Sequence, residues 1–233
     1  MLASKHALSL PTIKSISWNP FSEPCMYAWY KYRTGLNITP VVDPKVLGWE
    51  DSSPNDHLME QTTVLNQPTY NSGEITFVSG RPDYLSTNLQ IELPSNFLIG
   101  ISIDTQTTNG TIIGDITTSG ELFKYSSSSK ITVQIGGSIT HLELDAGTFS
   151  DNTIIITRDG SNVLNLWVDN VLQTGTTPTL TGTALIDVIG ARFSSGGGVV
   201  NGFDGVIREI QIYDCSDVKL VEKVYLSLKH LTP

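Results

Sequence analysis

Between Phe97 and Leu144 five short β-rich segments follow one another, at Phe97 to Asp104, Thr111 to Asp115, Glu121 to Tyr125, Ile131 to Ile135 and Ile139 to Leu144. Turn chemistry separates them: Thr108-Asn109-Gly110, Ser119-Gly120, Ser126 to Ser129 and Gly136-Gly137 are residues that accept left-handed backbone or bond their own main chain. Such a succession predicts a meander of antiparallel strands. Downstream, Thr153 to Arg158 and Leu164 to Val168 form a predicted hairpin about Asp159-Gly160-Ser161-Asn162, Asp169-Asn170 makes a second reverse turn, and Leu185 to Arg192 is a further strand. Upstream, Met26 to Tyr32 alternates, with Met26, Ala28, Tyr30 and Tyr32 on one side and Tyr27, Trp29 and Lys31 on the other. A strand ends at Trp49, and short ones are predicted at Ile75 to Val78 and Asp83 to Ser86. Charged residues make up 16% of the chain, well below the usual quarter, and its 233 residues suffice for one sandwich with a full core.

The chain closes with Phe203 to His230, a strand that turns straight into a helix. Ile210 and Ile212 alternate with Glu209, Gln211 and Tyr213, so one face is expected in the core and the other in water. Ser216 is expected to cap the helix, with Asp217 as its first-turn acid. Val218, Val221, Val224, Tyr225 and Leu228 recur at helical spacing, and Lys223, Lys229 and His230 sit toward the negative end of the dipole. Such a helix is expected to cover a sheet edge or bottom.

FDGVIREIQIYD, followed by a short helix ending YLSLK, resembles the end of the laminin-G/pentraxin-like version of the concanavalin A-like jelly roll. MYAWYKYRTGLN and VLGWEDSSPNDHLMEQTTVLNQPTY are similar to that family's opening strand and its V-W-D-S-N-Q-P-Y segment, and LWVDNVLQ resembles its reverse turn. The resemblance covers roughly residues 21 to 231. It implies an all-β, two-sheet antiparallel jelly-roll sandwich over residues 21–233, with residues 1–20 as an extended N-terminal arm and a short C-terminal helix. It also implies that the strands beside Cys25 and Cys215 are neighbours, which brings the two sulfurs within reach of a disulfide.

Within residues 1 to 20, Leu8, Leu10, Ile13, Ile16 and Trp18 alternate with polar residues, and Pro11 and Pro20 interrupt any regular element. We read these five as an assembly interface, because apolar surface of that extent seeks a partner. No apolar run is long enough to span a membrane, and His6, Ser9 and Pro11 break the start as a secretory signal. Synthesis in a cytoplasm is therefore expected, and with it reduced thiols at Cys25 and Cys215, against which stands the proximity implied by the fold. A net charge of −9 opposes binding to nucleic acid.

An arm of this kind ahead of such a domain resembles the virion surface proteins of tailed bacteriophages. That implies a non-enzymatic decoration protein on a phage head or tail, made in the host cytoplasm, with other virion proteins and copies of itself as partners and host glycans as a further ligand. The alternative is a stand-alone carbohydrate-binding lectin, and a glycoside hydrolase comes third. Glu143-Leu144-Asp145 matches the start of the jelly-roll glucanase motif, but Gly147 and Thr148 stand where the second Glu belongs, and retaining hydrolysis needs two carboxyls about 5 Å apart. No catalytic, cofactor-binding or metal residue is assigned. His6, His57, His141 and His230 are expected at the surface or at a helix end. Calcium is the one ion the family admits, with Asp51, Asn55, Asp56, Asp104, Asp115, Asp151 and Asp204 near strand ends but in no motif. For a glycan, Trp18, Trp49, Tyr70, Tyr84 and Trp167 are the available rings, most of them expected in the core.

Overall fold

In the computed structural model, which describes residues 18–40, 42–105, 109–116, 120–194 and 196–231, the closing strand Gly205–Tyr213 lies inside the first of two large antiparallel sheets. One edge pairs with Phe97–Thr105 along its whole length. The other edge is shared: Glu74–Phe77 takes Gly205 to Ile207, and the opening strand Met26–Tyr30 takes Ile210 to Tyr213. The two ends of the chain therefore lie side by side. Beyond Phe97–Thr105 the sheet continues through Asp151–Arg158, Leu164–Val168 and Val171–Gln173, and beyond Glu74–Phe77 it ends at Thr69–Asn71.

The second sheet opens with the predicted meander, Ser138–Glu143, Lys130–Ile135, Gly120–Ser127 and Gly110–Asp115, and goes on through Ala184–Ile189, Leu85–Leu93, Met59–Glu60, Val46–Trp49 and Leu36–Ile38. Phe97–Thr105, grouped with the meander by its turn chemistry, belongs to the other sheet. Its residues from Phe97 to Ile103 are all buried, as befits an inner strand covered on both faces. Leu85–Leu93 runs well past the expected end at Ser86, because Asn88 and Leu89 are exposed and break the apolar alternation in its middle.

Side chains from both sheets interdigitate in one core that includes Trp49, Tyr30, Phe77, Phe97, Phe123 and Phe203. Gly190 shows how tight it is: φ is +91°, and a Cβ there would sit 2.3 Å from Cδ1 of Phe77. A second apolar layer lies outside the first sheet, under helix α1 (Val218–Leu228). Leu220, Val221, Val224 and Leu228 are buried there against Met26, Trp29, Leu98, Ile155 and Tyr213, each such burial contributing about 1.5–3 kcal/mol. The helix covers the sheet's face rather than its edge. Gly100 permits that approach, since a Cβ on it would meet Cγ1 of Val224 at 2.5 Å.

Four expectations change here. Asp217, not Ser216, caps the helix, its Oδ1 accepting from the Lys219 N–H at 2.6 Å. Glu209, Gln211 and Tyr213 are dry, because α1 and the opening strand cover the face expected in water. A bulge between Met26 and Ala28 brings Met26 round to the side of Trp29, leaving Ala28 and Tyr30 in the core. Cys25 and Cys215 are joined as a disulfide with Cα atoms 5.9 Å apart, in place of the reduced thiols expected from a cytoplasmic origin. Leu8, Leu10, Ile13 and Ile16 lie outside the described residues, whereas Trp18 packs at the border of the helix layer.

Candidate functional site: an aromatic recess where the chain ends meet

Six aromatic residues fall between positions 18 and 32, and the fold turns that density into a surface. Asn19 caps the short 3-10 turn Pro20–Ser22, its side-chain oxygen accepting from the Phe21 N–H at 3.1 Å, and this holds Phe21 outward at 50% exposure. Phe21 meets Trp29 edge to face, with ring centroids 5.1 Å apart. Trp18 is fixed by its indole N–H, which donates to Glu23 Oε1 at 2.9 Å. The hydrogen bonds from Lys223, and then from Trp18, hold the Glu23 carboxyl below its ordinary pKa. Trp18, Asn19, Phe21 and Trp29, together with Lys31, Tyr32, Ser227 and Leu231, line an open recess of about 580 Å³.

Glu209 and Gln211 form its floor. Glu209 Oε1 accepts from the Trp29 indole N–H and from Gln211 Nε2, both at 2.7 Å, and Oε2 accepts from the Tyr32 backbone N–H at 3.0 Å. Gln211 also donates to Ser227 Oγ on α1 and accepts from the Tyr213 hydroxyl. Burial, and secondarily Glu209, push that hydroxyl well above its ordinary pKa and keep it a donor. A buried carboxylate supplied with three donors is satisfied, so it fixes the Trp29 indole, the Gln211 amide and the Tyr32 backbone around the recess. Exposed rings beside hydrogen-bonding groups, on a rigid floor, suit a ligand with apolar faces and polar edges.

Of the rings singled out in the sequence, Trp18 alone lines this recess. Trp49 is fully buried, its indole donating to the Lys31 carbonyl; Tyr70 packs against the main core; Tyr84 lies edge-on to Phe193; Trp167 borders the helix layer. Phe21, Lys31, Tyr32, Glu209 and Gln211 were not singled out. The aromatic density between residues 18 and 32 was the available signal for the first three, and the floor comes from a strand about 180 residues away.

The acids have other partners. Glu143 pairs with Lys130 at 2.7 Å. Asp145 accepts from the Thr174 and Gly175 N–H groups, and the Thr174 bond leads in lowering its pKa. Asp51 takes four donors, from Trp29, Ser53 twice and His57, and so organises its own loop. Asp151 and Glu74 flank the buried Arg208, which they hold at 2.8 and 2.6 Å. Among the described residues no group of three or more His, Cys, Asp or Glu side chains is placed to hold a metal ion. His57, expected at the surface, is buried, stacks on Tyr27 and bonds the Leu89 carbonyl through Nδ1 at 2.9 Å. His141 is exposed beside Thr132, and His230 is exposed after the helix.

No family model and no curated protein matches this sequence. Solved structures match its shape. They include the Trypanosoma rangeli sialidase in complex with sialic acid, at TM-score 0.55 and 10% identity over 88% of this chain and 33% of that one. The binding domain of botulinum neurotoxin serotype D matches at TM-score 0.50 and 14% identity, over 87% of this chain and 51% of that one. The shared fold is a lectin-like β-sandwich. This chain spans about a third of the sialidase and about half of the toxin domain, and at such identities the likeness shows the fold alone.

Proposed function

We propose that this chain is a carbohydrate-binding module that holds a sugar in the recess between Trp18, Phe21, Lys31 and Tyr32. The observation that carries this is an exposed phenylalanine set against a tryptophan above a fully satisfied polar floor. Pyranose C–H faces pack on aromatic rings, and hydroxyls take the surrounding donors and acceptors. Sharing a fold with a sialidase seen in complex with sialic acid supports the same substrate class. We read the module as non-catalytic, in keeping with the structural duties of Glu143 and Asp145. A virion role, the finer expectation from the sequence, depends on residues 1–20, of which Leu8, Leu10, Ile13 and Ile16 lie outside the described residues; the geometry favours the lectin alternative.

The test is a glycan array probed with the wild-type chain and with Phe21→Ala, whose ring is half exposed and contributes little to the core. Binding to a defined set of glycans, weakened about tenfold or more in the variant, is the expected result, since a lost aromatic contact of that kind is worth on the order of 1.5 kcal/mol. Equal binding by both proteins removes the recess from the site, and no binding to any glycan removes the function.

A further inference from the structure

The recess is chemically lopsided. Among the described residues that line it, the one carboxylate, Glu209, is occupied by three N–H donors. Its one ammonium is not matched in the same way: Lys31 Nζ sits 4.8 Å from the centroid of the Trp29 ring, where the π face steadies it, and no carboxylate among the described residues lies within ion-pair distance. Asn19 adds a second donor at the rim, because its side-chain oxygen is committed to the Phe21 N–H and its amide nitrogen has no partner among the described residues. What the recess presents to a ligand is therefore an aromatic platform, a cation and donors, with its carboxylate already occupied by N–H groups of the protein.

Given carbohydrate binding at this recess, we infer that its ligand is a sugar bearing a carboxylate, which Lys31 receives while the ring of the sugar lies on Phe21 and Trp18. The amide of Asn19 is placed on the rim to share a ligand oxygen. A neutral sugar would leave the ammonium over Trp29 desolvated without a counter-charge, and that is unfavourable. The lysine is the specificity element and the aromatic rings are the affinity element.

The experiment compares, on one array and by titration, glycans ending in N-acetylneuraminic acid or glucuronic acid with the same glycans after methyl esterification of the carboxylate, with neutral glycans and with sulfated ones. Wild type, Lys31→Met and Phe21→Ala are tested side by side. Lys31→Met retains the packing of the side-chain stem and deletes the charge. The expected pattern is preference for the free carboxylate by about tenfold or more over its ester, a preference abolished in Lys31→Met and weakened by added salt, as a charge-assisted hydrogen bond requires. Phe21→Ala lowers affinity for acid and ester alike. Equal binding of acid and ester, a preference that survives in Lys31→Met, or preference for sulfated glycans overturns the carboxylate assignment while leaving carbohydrate binding in place. Absence of binding to every glycan overturns both.

Discussion

Arg158 offers the sharpest test of how the two sheets are tied together. Its guanidinium is completely buried, on Asp151–Arg158 at the end of the sandwich. Nε donates to the Ser95 carbonyl at 2.7 Å, Nη1 to Gly182 at 2.6 Å and Nη2 to Leu93 at 3.0 Å, with a further bond from Nη2 to Ser95. The plane also lies near the Phe97 ring, 5.1 Å from its centroid. Burial lowers the guanidinium pKa, yet the group stays charged, and carbonyl dipoles supply what a carboxylate would elsewhere. These bonds join the turn after Leu85–Leu93 and the loop before Ala184–Ile189 in the second sheet to a strand of the first. Arg158→Met keeps the stem and removes every donor, which strands three acceptors at about 1–3 kcal/mol each, partly offset by the desolvation that a buried cation no longer suffers. A net loss of about 3 kcal/mol follows, or a fall in melting temperature of about 6–12 °C for a chain of this size. Urea and thermal unfolding followed by circular dichroism measure it, with Arg158→Lys expected between the two because one ammonium cannot serve the same fork of carbonyls. A methionine variant as stable as wild type would show that water replaces the guanidinium and that the sheets are held without it.

Two further predictions concern the native state. Burial is the main force raising Asp83 from its ordinary value to about 6, although Arg81 and the Val78 N–H partly oppose it. Because the folded pKa exceeds the unfolded one, the charged side chain weakens the fold above pH 6, and stability returns as pH falls from 6 toward 4, by about 2–3 kcal/mol. Asp83→Asn should flatten this part of the stability profile; an unchanged profile by urea titration at pH 5 and pH 8 assigns the dependence elsewhere. The Cys25–Cys215 bond spans 190 residues of sequence, so the chain-entropy relation gives it about 5 kcal/mol. Cys215→Ser, or reduction, should lower the urea midpoint accordingly, and an unaltered midpoint in reductant refutes the bond's contribution.

Much of the architecture was legible because turn chemistry is local. Asp169 and Asn170 both take positive φ, 50° and 67°, and Val168 pairs with Val171 across them, as a two-residue hairpin demands. Ile154 pairs with Val168 and Arg158 with Leu164 in the hairpin expected from the same run. The partition of strands between sheets was not legible, since Phe97–Thr105 and its neighbour Gly110–Asp115 are similar in composition but pair with different partners. Nor was the helix cap, because Ser216 and Asp217 are both good caps and only the geometry of the first turn decides between them. The alternation of the opening strand put Trp29 opposite Ala28 and Tyr30, as found, but the bulge that brings Met26 round to the side of Trp29 carries no sequence mark.

The recess was hidden for a related reason. Period-two alternation of Ile210 and Ile212 with Glu209, Gln211 and Tyr213 has the pattern of a half-wet strand, and polarity alone does not distinguish water from a second protein layer rich in donors. Here the partners are the Trp29 indole, the Tyr32 backbone and Ser227 on α1, so the polar face became the dry floor of a pocket. The opening strand can donate to Glu209 only because it pairs beside it, which couples closure of the fold to formation of the site. Residues on the floor therefore serve stability and ligand geometry together, and substitutions there lower both. Phe21 and Lys31, which rest on that floor without belonging to it, are the positions at which recognition can be altered while the sandwich stays intact.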